Sequence, residues 1–76
     1  MPETTVVATF SYRHEAEMAR GYLDDAGIPV VMVAGDAAGI ELGFAAPNRA
    51  RLAVRAEDVE RARQLLADAG FEENLV

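Results

Sequence analysis

Leu23-Asp24-Asp25-Ala26-Gly27-Ile28 and Leu66-Ala67-Asp68-Ala69-Gly70-Phe71 share one ending, Leu-x-Asp-Ala-Gly followed by an apolar residue. Glycine after an amphipathic run marks a helix C-terminus, because it enters the left-handed region without a Cβ penalty. Upstream of Gly27, Tyr12, Ala16, Ala19, Leu23 and Ala26 recur at spacings of 4, 3, 4 and 3, which is one helical stripe. Upstream of Gly70, Val59, Ala62, Leu66 and Ala69 form a second, with Leu65 at its edge. Laid on one another with an offset of 43, residues 15–28 and 58–71 agree at seven of fourteen positions. Two helices that end alike predict two strand-helix-strand halves packed in the same way on one sheet.

The flanking segments supply the strands. Residues 4–10 are β-rich, and strict alternation puts Val6, Ala8 and Phe10 on one face and Thr5, Val7 and Thr9 on the other. Ser11 reads as the helix N-cap, with Glu15 and Glu17 near the positive end of the dipole. Pro29 prevents the first helix from continuing. Val30 to Val33 is an unbroken apolar run, as expected for a strand covered on both faces. Residues 49–55 alternate again, with Ala50, Leu52 and Val54 inward and Arg49, Arg51, Ala53 and Arg55 outward. Glu57 and Asp58 open the second helix as solvated, dipole-matching acids. Surface pairs are expected for Arg13 with Glu17, Arg20 with Asp24, and Glu57 with Arg61. Residues 35–48 carry Gly35, Gly39 and Gly43 and form a flexible loop, in which 40–45 is either a short strand or a flap. Residues 71–76 are either a final strand or a tail. The order predicts one α+β domain over residues 1–76, ferredoxin-like βαββα(β), with two helices on one face of an antiparallel sheet.

Composition narrows the function. The chain has 76 residues, 7 Arg, no Lys, 13 acids and a net charge of −6. Apolar residues make up 51%, but 15 of them are Ala, so large core-forming side chains are few. A chain this short is marginally stable alone. No Cys excludes disulfides, thiol nucleophiles and thiolate metal sites. No Lys excludes Schiff-base chemistry and the P-loop lysine. The acidic balance opposes nucleic-acid binding, and no apolar run suits a membrane span. Residues 1–5 lack the basic start of a signal peptide, so a cytoplasmic location is expected.

The candidate chemistry is sparse. His14, beside Glu15 and Glu17, is the single histidine, and a lone His on a surface helix is ordinarily solvated. The neighbouring acids Asp24-Asp25, Glu57-Asp58 and Glu72-Glu73 do not face one another as a catalytic pair would. No metal, cofactor or catalytic residue is expected, and the chain is read as a non-enzyme. Two features remain. The open sheet face carries Val7, Val31, Val33 and Ala53, an apolar surface suited to a second copy or another protein. Arg49, Arg51 and Arg55 form a cationic strip on one strand, which suits a small carboxylate or phosphate ligand.

The runs Phe10-Ser-Tyr-Arg-His-Glu-Ala-Glu-Met-Ala-Arg-Gly-Tyr-Leu-Asp-Asp-Ala-Gly-Ile-Pro-Val and Leu52-Ala-Val-Arg-Ala-Glu-Asp-Val-Glu-Arg-Ala-Arg-Gln-Leu-Leu resemble a small bacterial family, the putative prokaryotic signal transducing proteins. The resemblance covers roughly residues 7–66. It implies a regulatory role and a shape similar to the nitrogen-regulatory PII proteins, whose signalling loop also joins the second and third strands. The loop 35–48 lies in that place but is shorter and has no Lys, so a PII-type nucleotide site carries over to no residue here. The resulting expectation is a non-catalytic regulatory or interaction module that self-associates. A sensor of a small anionic ligand is the alternative, and a small enzyme the remote one.

Overall fold

The two halves do end alike. The computed structural model describes residues 3–34 and 49–76, so the expectations for the loop 35–48 and its segment 40–45 lie outside the described residues. Within them run β1 (Thr4–Phe10), α1 (Arg13–Asp25), β2 (Val30–Ala34), β3 (Ala50–Arg55) and α2 (Val59–Asp68). At the end of α1, Gly27 N–H donates to Asp24 O at 3.0 Å and Ile28 N–H to Leu23 O at 3.0 Å. At the end of α2, Gly70 N–H donates to Ala67 O at 3.1 Å and Phe71 N–H to Leu66 O at 2.9 Å. Both are Schellman motifs, in which the residue after the glycine returns to the leucine five positions earlier. This explains the shared hexapeptide. Leucine and the terminal apolar residue close the motif by contact, and glycine supplies the positive φ, 79° at Gly27 and 99° at Gly70.

A Cβ added at either glycine would meet no atom within 4 Å, so the cost of a side chain there is conformational alone. Gly27→Ala and Gly70→Ala are each expected to destabilise by about 1–2 kcal/mol. Urea denaturation of the two variants checks this.

The strand order is β1-β3-β2, antiparallel throughout. Beyond β1, Leu75 forms a single antiparallel bridge with Ala8, and Val76 N–H donates to Val7 O at 3.0 Å. The last residues, after a 3₁₀ turn at Glu72–Asn74, are therefore a rudimentary fourth strand on the outer edge of β1. The result is the ferredoxin-like α+β arrangement expected from the order of elements. Ala16, Ala19, Leu23, Ala62 and Leu66 face the sheet and are fully buried, over Val7, Ala8, Phe10, Leu52 and Val54. Alanine at three of the helix positions lets both helices approach the sheet closely. Burial of each large side chain contributes about 1.5–3 kcal/mol.

β1 departs from strict alternation. Its register runs Val6 opposite Ala53 and Ala8 opposite Leu52, which leaves Val7 as the extra residue of a β-bulge. Val7 and Ala8 are both buried, at 1% and 0% exposure, and Val6 is exposed. The expectation that Val7 lies on the open face is therefore corrected: the inserted residue shifts the phase by one, and Val6 takes that place.

Three local expectations also change. Helix α1 begins at Arg13, with Tyr12 as its N-cap and no side-chain cap, so Ser11 does not cap it. Tyr12 is consequently exposed and leaves the buried stripe. The second helix begins at Val59 after a 3₁₀ turn over Ala56–Asp58, so Glu57 and Arg61 do not share a helix face. Glu57 instead pairs with Arg55, at 3.4 Å, and Arg61 donates to the Ala26 carbonyl at 3.0 Å, placing a cation at the C-terminus of α1.

Candidate functional site

The face of the sheet opposite the helices is built from the outward positions of all three strands. Across β3, Arg51, Ala53 and Arg55 sit opposite Thr9, Val6 and Thr4 of β1. On the other side, Val31 is opposite Ala53 and Val33 opposite Arg51. Val6, Val31 and Val33 are each 37–40% exposed, around an Ala53 that is 5% exposed. Val31, Val33 and Ala53 thus lie together on this face as expected, joined by Val6. The apolar strip exists because β2 is apolar on both faces, while helices cover only one.

The three arginines of the expected strip divide. Arg55 Nε donates to Asp58 Oδ2 at 2.8 Å, and its Nη1 lies 3.4 Å from Glu57 Oε2. The hydrogen bond to Asp58, aided by the charges of Asp58 and Glu57, raises the Arg55 pKa above its ordinary value. Arg55 is thus held by the junction between β3 and α2. Asp58 is only 8% exposed, contrary to its reading as a solvated acid, because the 3₁₀ turn folds it back onto Arg55. The i,i+3 spacing of Arg55 and Asp58 was the available signal. Arg51 and Arg55 are also about 13 Å apart along an extended strand, against about 6.6 Å for Arg49 and Arg51. The strip is therefore corrected to Arg49 and Arg51.

These two line a hollow of about 540 Å³ at the end of β1. Val6, Thr9 and Phe10 of β1 and Ser11 just after it line it in the middle, and Arg49 and Arg51 form one wall on the β3 side. The other wall is the C-terminal segment, with Glu73, Asn74 and Val76. That segment is pinned in place: Asn74 Nδ2 donates to Thr9 O at 3.0 Å, and an Arg63 guanidinium N–H from α2 donates to the Val76 carbonyl. Nothing in the sequence pattern pointed to the part played by Glu73 and Asn74, because a single bridge and a side-chain bond across 65 residues leave no periodic trace.

The remaining candidates stay apart. His14 is exposed on the first turn of α1, its ring 5.8 Å from that of Tyr12. Arg20 pairs with Asp24 at 3.7 Å, and Arg13 with Glu17 at 3.4 Å, as expected from i,i+4 spacing. Among the described residues no group of three or more His, Asp or Glu side chains converges as metal ligands do, and no helix is long and apolar enough to cross a membrane.

These elements define a small α+β domain of ferredoxin-like order, with one sheet face that no described helix covers and a hollow at its edge. The chain belongs to the family described as putative prokaryotic signal transducing protein, whose model matches residues 5–70. No curated protein and no solved structure matches it.

Proposed function

We propose that this domain is a non-catalytic regulatory module that self-associates through the bare face of its sheet. The carrying observation is the strip of Val6, Val31 and Val33 around Ala53, exposed on the side that no helix covers. The family description agrees with a regulatory role. A non-catalytic role agrees with the fate of the acids and bases. Asp24, Glu57 and Asp58 are taken up by Arg20 and Arg55, and His14 stands exposed on α1.

The partner that best fits the strip is a second copy of the chain. The strip is uncharged at its centre, so two copies related by a two-fold axis meet apolar against apolar. Arg55, at one end, already has its charge matched by Asp58 and Glu57, which leaves Arg51, opposite Val33, as the charge at the other end unpaired among the described residues and weakens association. Size sets the strength. Three strands about 4.8 Å apart and five residues long present roughly 14 by 17 Å, well below the ~800 Å² per partner of a standard stable interface. The association is therefore weak and concentration-dependent.

Light scattering over a concentration series should show a monomer at low concentration shifting toward a dimer at high concentration. Val31→Glu should hold the protein as a monomer throughout while leaving its circular dichroism unchanged. A wild-type chain that stays monomeric at the highest concentration reached, or a Val31→Glu variant that still dimerises, contradicts the proposal.

A further inference from the structure

Seven arginines serve a chain with 13 acids, yet their partners are unevenly shared. Arg13, Arg20 and Arg55 are in ion pairs. Arg61 and Arg63 donate to backbone carbonyls that tie α2 to α1 and to the C-terminal segment. Of the arginines, only Arg49 and Arg51 have neither an ion pair nor a side-chain hydrogen bond among the described residues. These two line the same hollow, Arg51 from within β3 and Arg49 from the residue just before it.

The geometry points to this hollow as a binding site for a small oxyanion, a carboxylate or a phosphate group, held by Arg49 and Arg51. Their Cα atoms are about 6.6 Å apart in extended chain, and both guanidinium forks can reach oxygens of one such group. The volume of about 540 Å³ falls within the range of small-molecule sites. Val6 and the edge of Phe10 add apolar atoms to its lining. Glu73 lies on the opposite wall and is in no ion pair with either arginine. The anionic end of the ligand therefore sits at the arginine wall, and hydroxyl or amino groups at its other end face Glu73 and Asn74. The wall that carries them is fixed by the Asn74 to Thr9 and Val76 to Val7 hydrogen bonds, so the hollow is largely preformed. The hollow adjoins the apolar strip through Val6, while Val31 and Val33 are not among its lining residues, so the anion test is run at a protein concentration where the chain is monomeric.

The test uses thermal melting with two probes, inorganic phosphate and citrate, each titrated against chloride at constant ionic strength. At least one probe should raise the melting temperature in proportion to the logarithm of its concentration above the dissociation constant, by roughly 6–11 °C at ten times that constant. Arg51→Gln and Arg49→Gln should each weaken that response at least tenfold, and Arg20→Gln, on the far helix, should leave it unchanged. Response to phosphate alone assigns a phosphate ligand, and response to citrate alone a carboxylate. Glu73→Gln should tighten binding of the bare anion, because it removes the opposing charge. Phosphate also stabilises proteins by exclusion from their surface, and that effect raises every variant equally. An equal rise in wild type and in the folded Arg49→Gln variant, or no rise with either probe beyond that of chloride up to tens of millimolar, overturns the proposal. Arg49 is exposed and precedes β3, so its variant keeps the test valid if Arg51→Gln does not fold.

Discussion

Val7→Glu is expected to unfold the domain, whereas Val6→Glu, one residue earlier, leaves it folded. Val7 is 1% exposed and belongs to the core cluster. A carboxyl group buried there stays neutral only if its pKa rises above the ambient pH. Holding a Glu of ordinary pKa near 4.3 protonated at pH 7 costs about 3.7 kcal/mol. The lost apolar burial of Val7 adds about 1.5–3 kcal/mol. A chain of 76 residues has a total stability of about 4–11 kcal/mol. The substitution therefore consumes most or all of it. Val6 is 37% exposed on the bare face, where a charge stays hydrated and costs under about 1 kcal/mol. Far-UV circular dichroism and thermal melting separate the two variants directly. If β1 alternated strictly, the outcomes would be reversed, so a folded Val7→Glu beside an unfolded Val6→Glu would refute the bulge. Val6→Glu should also weaken association at high concentration, because it charges the same strip as Val31.

The bulge marks where the sequence stops being legible. Residues 4–10 read Thr-Thr-Val-Val-Ala-Thr-Phe, and two adjacent valines are equally at home in either phase. A period-2 pattern reports the faces only until a residue is inserted, and a bulge has no obligatory composition. Where the ladder is regular, alternation placed side chains correctly: Val31, Val33 and Ala53 on the bare face, Leu52 and Val54 in the core. Helix ends were legible because the Schellman motif demands a glycine and an apolar residue at fixed positions. Helix starts were not. Tyr12 caps α1 without a side-chain bond, and the 3₁₀ turn before Val59 moved Glu57 out of reach of Arg61. The arginine strip shows the same limit. Alternation found the outward positions, but partners at the strand end depend on how the next turn folds, which took Arg55 away to Asp58.

The repeated helix end carries the second large effect. Leu23→Ala and Leu66→Ala each remove a side chain that is 0% exposed, and each should destabilise by about 2–5 kcal/mol. These leucines act twice. Their side chains fill the space between helix and sheet, and their carbonyls accept the closing hydrogen bonds from Ile28 and Phe71. The side-chain loss opens a cavity whose cost depends on how far its surroundings can collapse. Around Leu23 the closing residue is Ile28, 1% exposed and locked in the core. Around Leu66 it is Phe71, half-buried at the edge, its ring 5.7 Å from Phe10 and 6.0 Å from Tyr22. A ring at the edge can tilt inward and refill space, which a locked isoleucine cannot. Leu23→Ala should therefore lie toward the upper end of the range and Leu66→Ala toward the lower. The double variant should be unfolded in water, since the summed loss of about 4–10 kcal/mol matches the total stability. Urea denaturation of the single variants gives the order, and a Leu66→Ala loss exceeding that of Leu23→Ala would show that Phe71 does not yield.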